Sequence, residues 1–405
     1  MPVVGFTTNS WQLLLISLSL LAFSPYNYAK ENSKTPGIEQ IQNMDQASLF
    51  LGHVENPYKT VKPDLPLIPA STLKLLTGLF ALQTWGSDHK FITDFYLGEN
   101  NILWIKGYGD PFLISEEINL IVAALKKKGL KKIAGIGIDD SYFSEEIIVD
   151  GQSQTDNPYD ASLSTLAANF NTFNIIRDKN GLQSAESQTP LTPLMKSLAK
   201  ELPNGEHRIN LGMQEYSSVN FAQILSIKLK ASDVEVGEVL INGIITNTQT
   251  PFYRHKNSHD LSAIISAMLK YSNNFIANQL FLLLGVKAKG APASMAKSRS
   301  TFDQKMAKIF DWKHQIILEG SGLSRSNRLS ARQLIDVLEK FASYKQLLSQ
   351  QNDHILAKSG TLTGISTYAG YLRKNNKWQP FVIMINQAAK YNLRKQVAEE
   401  LLYFD

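Results

Sequence analysis

The sequence predicts an α+β fold in which one domain, an antiparallel sheet flanked by helices, is built from both ends of the chain and interrupted by a large inserted α+β domain. Three observations point there. Strand-like runs at 48–54, 366–372 and 381–387 adjoin helices whose apolar residues recur at helical spacing. Between about 89 and 252 the texture changes to a hairpin, short strands and a polar, loop-rich stretch. At 405 residues, 43% apolar and 10% aromatic, the chain can fill two or three cores. The expected divisions are a leader over 1–29, the two-ended domain over 30–88 and 253–405, and the insert over 89–252.

The first 29 residues carry no charged side chain, and 11–23 is an apolar run too short to span a bilayer comfortably. It reads as a secretory signal peptide ending at Asn27-Tyr28-Ala29. An uncleaved anchor is the alternative, because no Lys or Arg leads the run and Asn27 stands where a small residue is preferred. After the strand at 48–54, Asn56-Pro57 marks a turn, and an extended piece with Pro63 and Pro66 leads to Pro69. There a helix begins, with Leu73, Leu75, Leu76, Leu79, Phe80 and Leu82 on helical spacing and Gly86 as its stop. Residues 91–97 and 101–106 form a hairpin. The helix from Ser115 has Glu116 and Glu117 at its start and Lys126, Lys127 and Lys128 at its end, which suits the helix dipole and explains the lysines without a nucleic-acid partner. Strands are expected at 133–138, 173–176, 209–213 and 227–230, and a helix at 194–201. Helices at 261–269 and 275–284 bracket Tyr271-Ser272-Asn273-Asn274. Residues 319–323 form a turn, Ser330 and Gln333 a capping box for a helix through Phe341, and 393–403 a last helix.

Composition removes several chemistries. With no cysteine, disulfides, thiolate metal sites and a cysteine nucleophile are excluded. A net charge of +5 and pI near 9.0 favour encounter with anionic partners. No basic arm or stretch of interleaved aromatics supports nucleic acid. Of seven histidines only His255 and His259 stand four apart, and Asn257, Ser258 and Asp260 around them suit the start of a helix better than a metal pair.

Any covalent catalysis must therefore use a residue other than cysteine, and one hydroxyl beside an amine is a candidate. In Pro69-Ala70-Ser71-Thr72-Leu73-Lys74, Ser71 and Lys74 are three residues apart on one helix face, a nucleophile beside a base if the amine is kept neutral. The same spacing recurs at Ser87–Lys90, Ser197–Lys200 and Ser294–Lys297, so spacing alone does not select a pair. Order does. Ser272-Asn273-Asn274 follows, offering a second hydroxyl and an amide that can hold a peptide bond, and Lys358-Ser359-Gly360-Thr361 comes last, offering a cation, a carboxylate-binding hydroxyl and an unhindered N–H at the start of a strand. This trio, in this order, is that of penicillin-recognising serine enzymes. Ser71 and Ser272 are 201 positions apart, and that interval must hold the insert inferred from texture.

The chain resembles the D-alanyl-D-alanine carboxypeptidase/endopeptidase family, the class C low-molecular-mass penicillin-binding proteins. Beyond the trio, the resemblance rests on Gly107-Tyr108-Gly109-Asp110-Pro111, Asp139-Asp140-Ser141-Tyr142-Phe143, Ser184-Ala185-Glu186-Ser187-Gln188-Thr189-Pro190 and Gly320-Ser321-Gly322-Leu323-Ser324-Arg325. It implies a β-lactamase/transpeptidase-like domain with a five-stranded antiparallel sheet. It also implies Ser71 as nucleophile, Lys74 as its base, Lys358 keeping Lys74 neutral by repulsion and attracting the substrate carboxylate, and Ser272 relaying a proton. Asn274 would hold the substrate backbone, Ser359 the terminal carboxylate, and the N–H groups of Ser71 and Thr361, beside Gly360, the oxyanion. Implied partners are peptidoglycan peptides and, as inhibitors, β-lactam antibiotics, with no cofactor or metal, no nucleic acid, a periplasmic location and at most weak envelope association. Ser359 replaces the more usual threonine but keeps the hydroxyl. The alternatives are a β-lactamase, which needs a deacylation base that no acidic residue in the sequence suggests, and a catalytically inactive cell-wall binding protein.

Overall fold

A computed structural model describes residues 35–144, 146–245, 250–312 and 314–404; the expected leader lies outside them. In chain order the elements are α1 (Pro36–Gln42), β1 (Ala47–Gly52), β2 (Pro57–Val61), α2 (Lys74–Trp85), β3 (Ile92–Leu97), β4 (Ile102–Gly107), α3 (Ser115–Lys127) and β5 (Lys132–Asp139). Then come β6 (Thr172–Asp178), β7 (Gly181–Ser184), α4 (Pro193–Leu198), β8 (Gly205–Asn210), α5 (Glu215–Lys230), β9 (Glu235–Asn242) and β10 (Tyr253–Lys256). The chain continues through α6 (Leu261–Tyr271), α7 (Asn274–Lys289), α8 (Met295–Phe310), α9 (Ala331–Phe341), β11 (Gln350–Asn352), β12 (Ile355–Leu362), β13 (Ile365–Lys374), β14 (Lys377–Ile385) and α10 (Leu393–Leu402).

Strands from the two ends form one antiparallel sheet in the order β11-β12-β13-β14-β1-β2. It has six strands rather than five, because the three-residue β11 adds an edge. Period-two alternation gives it two buried faces. Phe50, Ala369, Tyr371, Val382 and Met384 join the core of α2, α6, α7 and α9. Leu49, Leu51, Tyr368, Phe381 and Ile383 face the other way, against Ile38 and Ile41 of α1 and Val397 and Leu401 of α10. A sheet covered on both faces holds its strands rigidly, which suits a site built on β12.

The intervening stretch forms a mixed sheet, β10-β3-β4-β5-β9, and a three-stranded one, β7-β6-β8, around a core of their own with α3 and α5. β4, β5 and β9 are parallel. β10 belongs to this sheet, so it reaches four residues past the expected division at 252.

Three local expectations change. Residues 227–230, expected as a strand from Ile-Lys-Leu-Lys alternation, are the last turn of α5, whose buried Ser217, Phe221, Ile224, Leu225 and Leu229 follow helical spacing. The stretch expected as a strand at 209–213 begins earlier, as β8. Lys358-Ser359-Gly360-Thr361 lies inside β12, not at the start of one long strand, because Thr363-Gly364 makes a two-residue hairpin loop between Leu362 and Ile365, with Gly364 at φ 75. The helices α1 and α8 and the strand β9 carry no clear periodic signal in the sequence. No helix among the described residues is long and apolar enough to cross a membrane.

Candidate active site

Ser71 sits in a 3₁₀ turn, Ala70–Leu73, and Lys74 opens α2. The tighter winding eclipses residues three apart, which brings the two side chains into line. Lys74 Nζ is 3.1 Å from Ser71 Oγ. The turn is strapped to the sheet: the Pro69 carbonyl accepts from Thr72 Oγ1 at 2.6 Å and from Thr367 Oγ1 of β13 at 2.8 Å. Asn386 Oδ1 accepts from Ile68 N at 2.6 Å. Ala70 takes φ 46, a left-handed conformation that an L side chain adopts only when its surroundings impose it.

Lys74 has no solvent exposure. Its Nζ donates to Asn274 Oδ1 and to the Ser321 carbonyl, each at 2.7 Å. Burial first, then the charge of Lys358, holds its pKa well below the ordinary lysine value, while Glu319 pulls it up. A neutral amine has two protons and one lone pair. With both protons directed at fixed acceptors, the lone pair is left for the Ser71 hydroxyl. The expected repulsion by Lys358 is therefore present but second to burial.

Ser272 caps α6 in a left-handed conformation (φ 55), and Asn273 starts α7 by accepting from Ile276 N at 3.0 Å. This back-to-back pair of caps presents Ser272 and Asn274 to the same cleft. Lys358, 3% exposed, donates to Ser272 Oγ at 2.9 Å and to the Ser359 carbonyl at 2.6 Å. Burial, and behind it the charge of Arg394, pushes its pKa down to about 8. Asn274 meets Lys74 in the same cleft: its Oδ1 accepts from Lys74 Nζ, and its Nδ2 donates to the Tyr159 carbonyl at 3.3 Å. Along β12, Lys358 and Gly360 are buried while Ser359 and Thr361 are exposed, and the Ser359 hydroxyl makes no hydrogen bond among the described residues.

A Cβ at Gly360 would stand 2.7 Å from Ser71 N and 3.0 Å from Ala70 Cβ, so glycine is what lets β12 close on Ser71. The variant Gly360→Ala is expected to slow acylation by penicillin about 10²-fold, the cost of displacing a reacting group by roughly an ångström. A second-order acylation rate measured on the folded variant checks it.

Glu319 and Arg394 carried no signal in the sequence that separated them from ordinary charged residues. Glu319 is fully buried and organises the Gly320-Ser321-Gly322 turn that offers its carbonyl to Lys74. The other serine–lysine pairs are elsewhere employed: Lys90 Nζ binds the carbonyls of Asn257 and Ser258, Lys200 approaches Glu201 at 3.9 Å, and Ser294 is the N-cap of α8. His255 and His259 both lean on the buried Glu117, at 2.8 and 3.3 Å, and Asp260 caps α6.

The sequence profile of the D-Ala-D-Ala carboxypeptidase 3 (S13) family matches residues 57–200 and 202–353. The chain belongs to this family. The matched residues include Ser71, Lys74, Ser272 and Asn274, and end five positions before Lys358. This S13 carboxypeptidase is 24% identical over 380 residues to the D-alanyl-D-alanine carboxypeptidase of Actinomadura sp. strain R39, covering 76% of this chain and 71% of the relative. Its fold is similar to that of penicillin-binding protein 4 (dacB) from Haemophilus influenzae, with a TM-score of 0.74 at 19% identity over 91% of this chain and 98% of that one. The same Haemophilus protein complexed with a β-lactam superposes at 0.67 with equal identity and coverage.

Proposed function

We propose that this carboxypeptidase removes the terminal D-alanine of peptidoglycan stem peptides, and opens peptide cross-links of the same chemistry, through an acyl-enzyme on Ser71. The observation that carries this is the Lys74 amine, fully buried and with both its protons held by Asn274 and Ser321. Lys74 takes the Ser71 proton as Oγ attacks the carbonyl of the penultimate D-alanine. The N–H groups of Ser71 and Thr361 receive the developing oxyanion, each contributing on the order of 3 kcal/mol. Ser272, hydrogen-bonded to Lys358, relays the proton held on Lys74 to the leaving amine, which leaves both groups as they began, and water then adds to the acyl carbonyl and returns its proton to Ser71 as the acid departs. Protonated Lys358 and the unpartnered Ser359 hydroxyl hold the terminal carboxylate. Residues 35–88 and 257–404 act as the catalytic domain and 89–256 as its insert, with the enzyme exported to the periplasm. β-Lactams inhibit it by acylating the same serine, as they mimic the scissile peptide.

A β-lactamase would need a base free to activate deacylating water. Glu319, the carboxylate whose charge acts on Lys74, already accepts from Ser321 N and Oγ, Gly322 N, Ser324 N and Asn327 Nδ2. Intact-mass analysis after incubation with penicillin is expected to show one persistent adduct on the peptide bearing Ser71, absent in Ser71→Ala. Rapid turnover of the drug, or an adduct that survives the substitution, overturns the proposal.

The pH dependence follows from Lys358. Its protonated form binds the carboxylate, so kcat/KM should decline as pH rises through about 8. Lys358→Arg, charged throughout, should lose that alkaline limb even where its absolute rate is lower. A pH profile on a D-Ala-D-Ala peptide measures both.

A further inference from the structure

The C-terminal helix brings to this site a charge that the scheme above leaves unused. Arg394, the second residue of α10, is 6% exposed. Its Nη1 donates to the Gly360 carbonyl at 2.5 Å, to Thr361 Oγ1 at 2.9 Å and to the Thr367 carbonyl at 3.2 Å, while its buried Nε has no hydrogen-bond partner among the described residues. A buried guanidinium is costly to desolvate unless neighbouring groups answer its charge. Here neutral oxygens of β12 and β13 do so, and two of the residues that supply them meet the turn that carries Ser71: a Cβ on Gly360 would stand 2.7 Å from Ser71 N, and Thr367 Oγ1 donates to the Pro69 carbonyl.

The Gly360 carbonyl and the Thr361 N–H are two ends of one peptide group, pointing in opposite directions within its plane. A cation on the oxygen fixes where the N–H aims. It also draws electron density toward the oxygen, which makes the N–H a stronger donor. Thr361 Oγ1, bound to the same nitrogen of Arg394, restrains the residue a second time.

We propose that Arg394 is a positioning residue for the oxyanion hole: its guanidinium, seated on the Gly360 carbonyl and Thr361 Oγ1, orients and polarises the peptide whose N–H receives the negative charge of the transition state. This rests on the assignment of the Thr361 N–H to the oxyanion hole. Arg394 acts through that peptide and touches no reacting atom. The same charge bears on Lys358, whose pKa it helps to lower, so one arginine from the far end of the chain tunes both working groups of β12.

The test compares Arg394→Met, Arg394→Lys and Val397→Ala in the full-length enzyme by pre-steady-state acylation with penicillin G. Val397, fully buried on the same helix, reports what loosening α10 does by itself. Arg394→Met is expected to slow the acylation step by about 10- to 100-fold, less than outright loss of an oxyanion donor, while the dissociation constant of the encounter complex stays within threefold. Arg394→Lys should recover at least half of that loss on a logarithmic scale, and the alkaline limb of kcat/KM should move up in Arg394→Met. Val397→Ala should lower the melting temperature but slow acylation less than threefold. Slowing of less than threefold in Arg394→Met, or equal slowing in Arg394→Met and Val397→Ala, overturns the inference. Acylation that persists in Ser71→Ala would instead remove the serine mechanism on which it rests.

Discussion

Lys74→Met is expected to reduce acylation of Ser71 by about 10²- to 10⁴-fold, the range for loss of a positioned general base. Methionine has nearly the length of lysine and suits a site with no solvent exposure, so the fold should survive. The substitution leaves Asn274 Oδ1 and the Ser321 carbonyl without their donor, a cost of about 1–3 kcal/mol for each buried group, which a melting curve will register separately from the rate. Lys74→Arg makes the contrast. A guanidinium can donate to both oxygens but cannot accept a proton at neutral pH, so it should be as slow as methionine while melting nearer to the parent. If arginine supported acylation within tenfold of lysine, Lys74 would be an electrostatic anchor and the base would have to be sought elsewhere, with Ser272 the nearest hydroxyl relay.

The parts of this site legible in the sequence are those whose chemistry is written in local spacing. Ser71 and Lys74 are three apart on one turn, the capping residues of α6 and α7 are consecutive, and Lys358 to Thr361 is a contiguous strand edge. Their convergence could be anticipated because, of the three serine–lysine pairs that precede Ser272 and Lys358, only the first opens an apolar helical run. Glu319 and Arg394 stayed hidden for a common reason. Each engages chiefly main-chain or neutral groups, often from distant segments, and backbone amides and carbonyls leave no trace in residue identity. The helix α8 was obscure because Ser298 and Thr301 fill part of its buried face, and Ser298 lies against Gly285 of α7, where a larger apolar residue would not fit. The end of α5 was misread because four alternating residues outweighed a helical pattern that needs four turns to see.

Glu319→Ala is expected to be the most destabilising single change at the site. The carboxylate is fully buried and accepts from four nitrogens and one hydroxyl, all within 3.3 Å. Leaving five buried donors unpaired, at about 1–3 kcal/mol each before water enters, amounts to 5 kcal/mol or more. That rivals the whole stability of a typical domain, and a fall in melting temperature on the order of 10 °C or greater should accompany it. The turn it holds also cannot drift harmlessly: Gly322, at φ 84, lies so close to the Ala70 carbonyl that a Cβ would overlap it, and Ser321 supplies an acceptor to Lys74. Glu319→Gln keeps the shape, loses the charge and turns one acceptor into a donor, so its destabilisation should be smaller. Its more telling effect is on pH. Glu319 raises the Lys74 pKa against burial and Lys358, and removing its charge lets that pKa fall further. Lys74 must be neutral to act, so the acid limb of kcat/KM should move to lower pH in Glu319→Gln. Were Glu319 itself the base for deacylation, the glutamine variant would form its acyl-enzyme normally and fail to release it, with no such displacement of the acid limb. Profiles of acylation and of release, recorded on the same variant, separate the two.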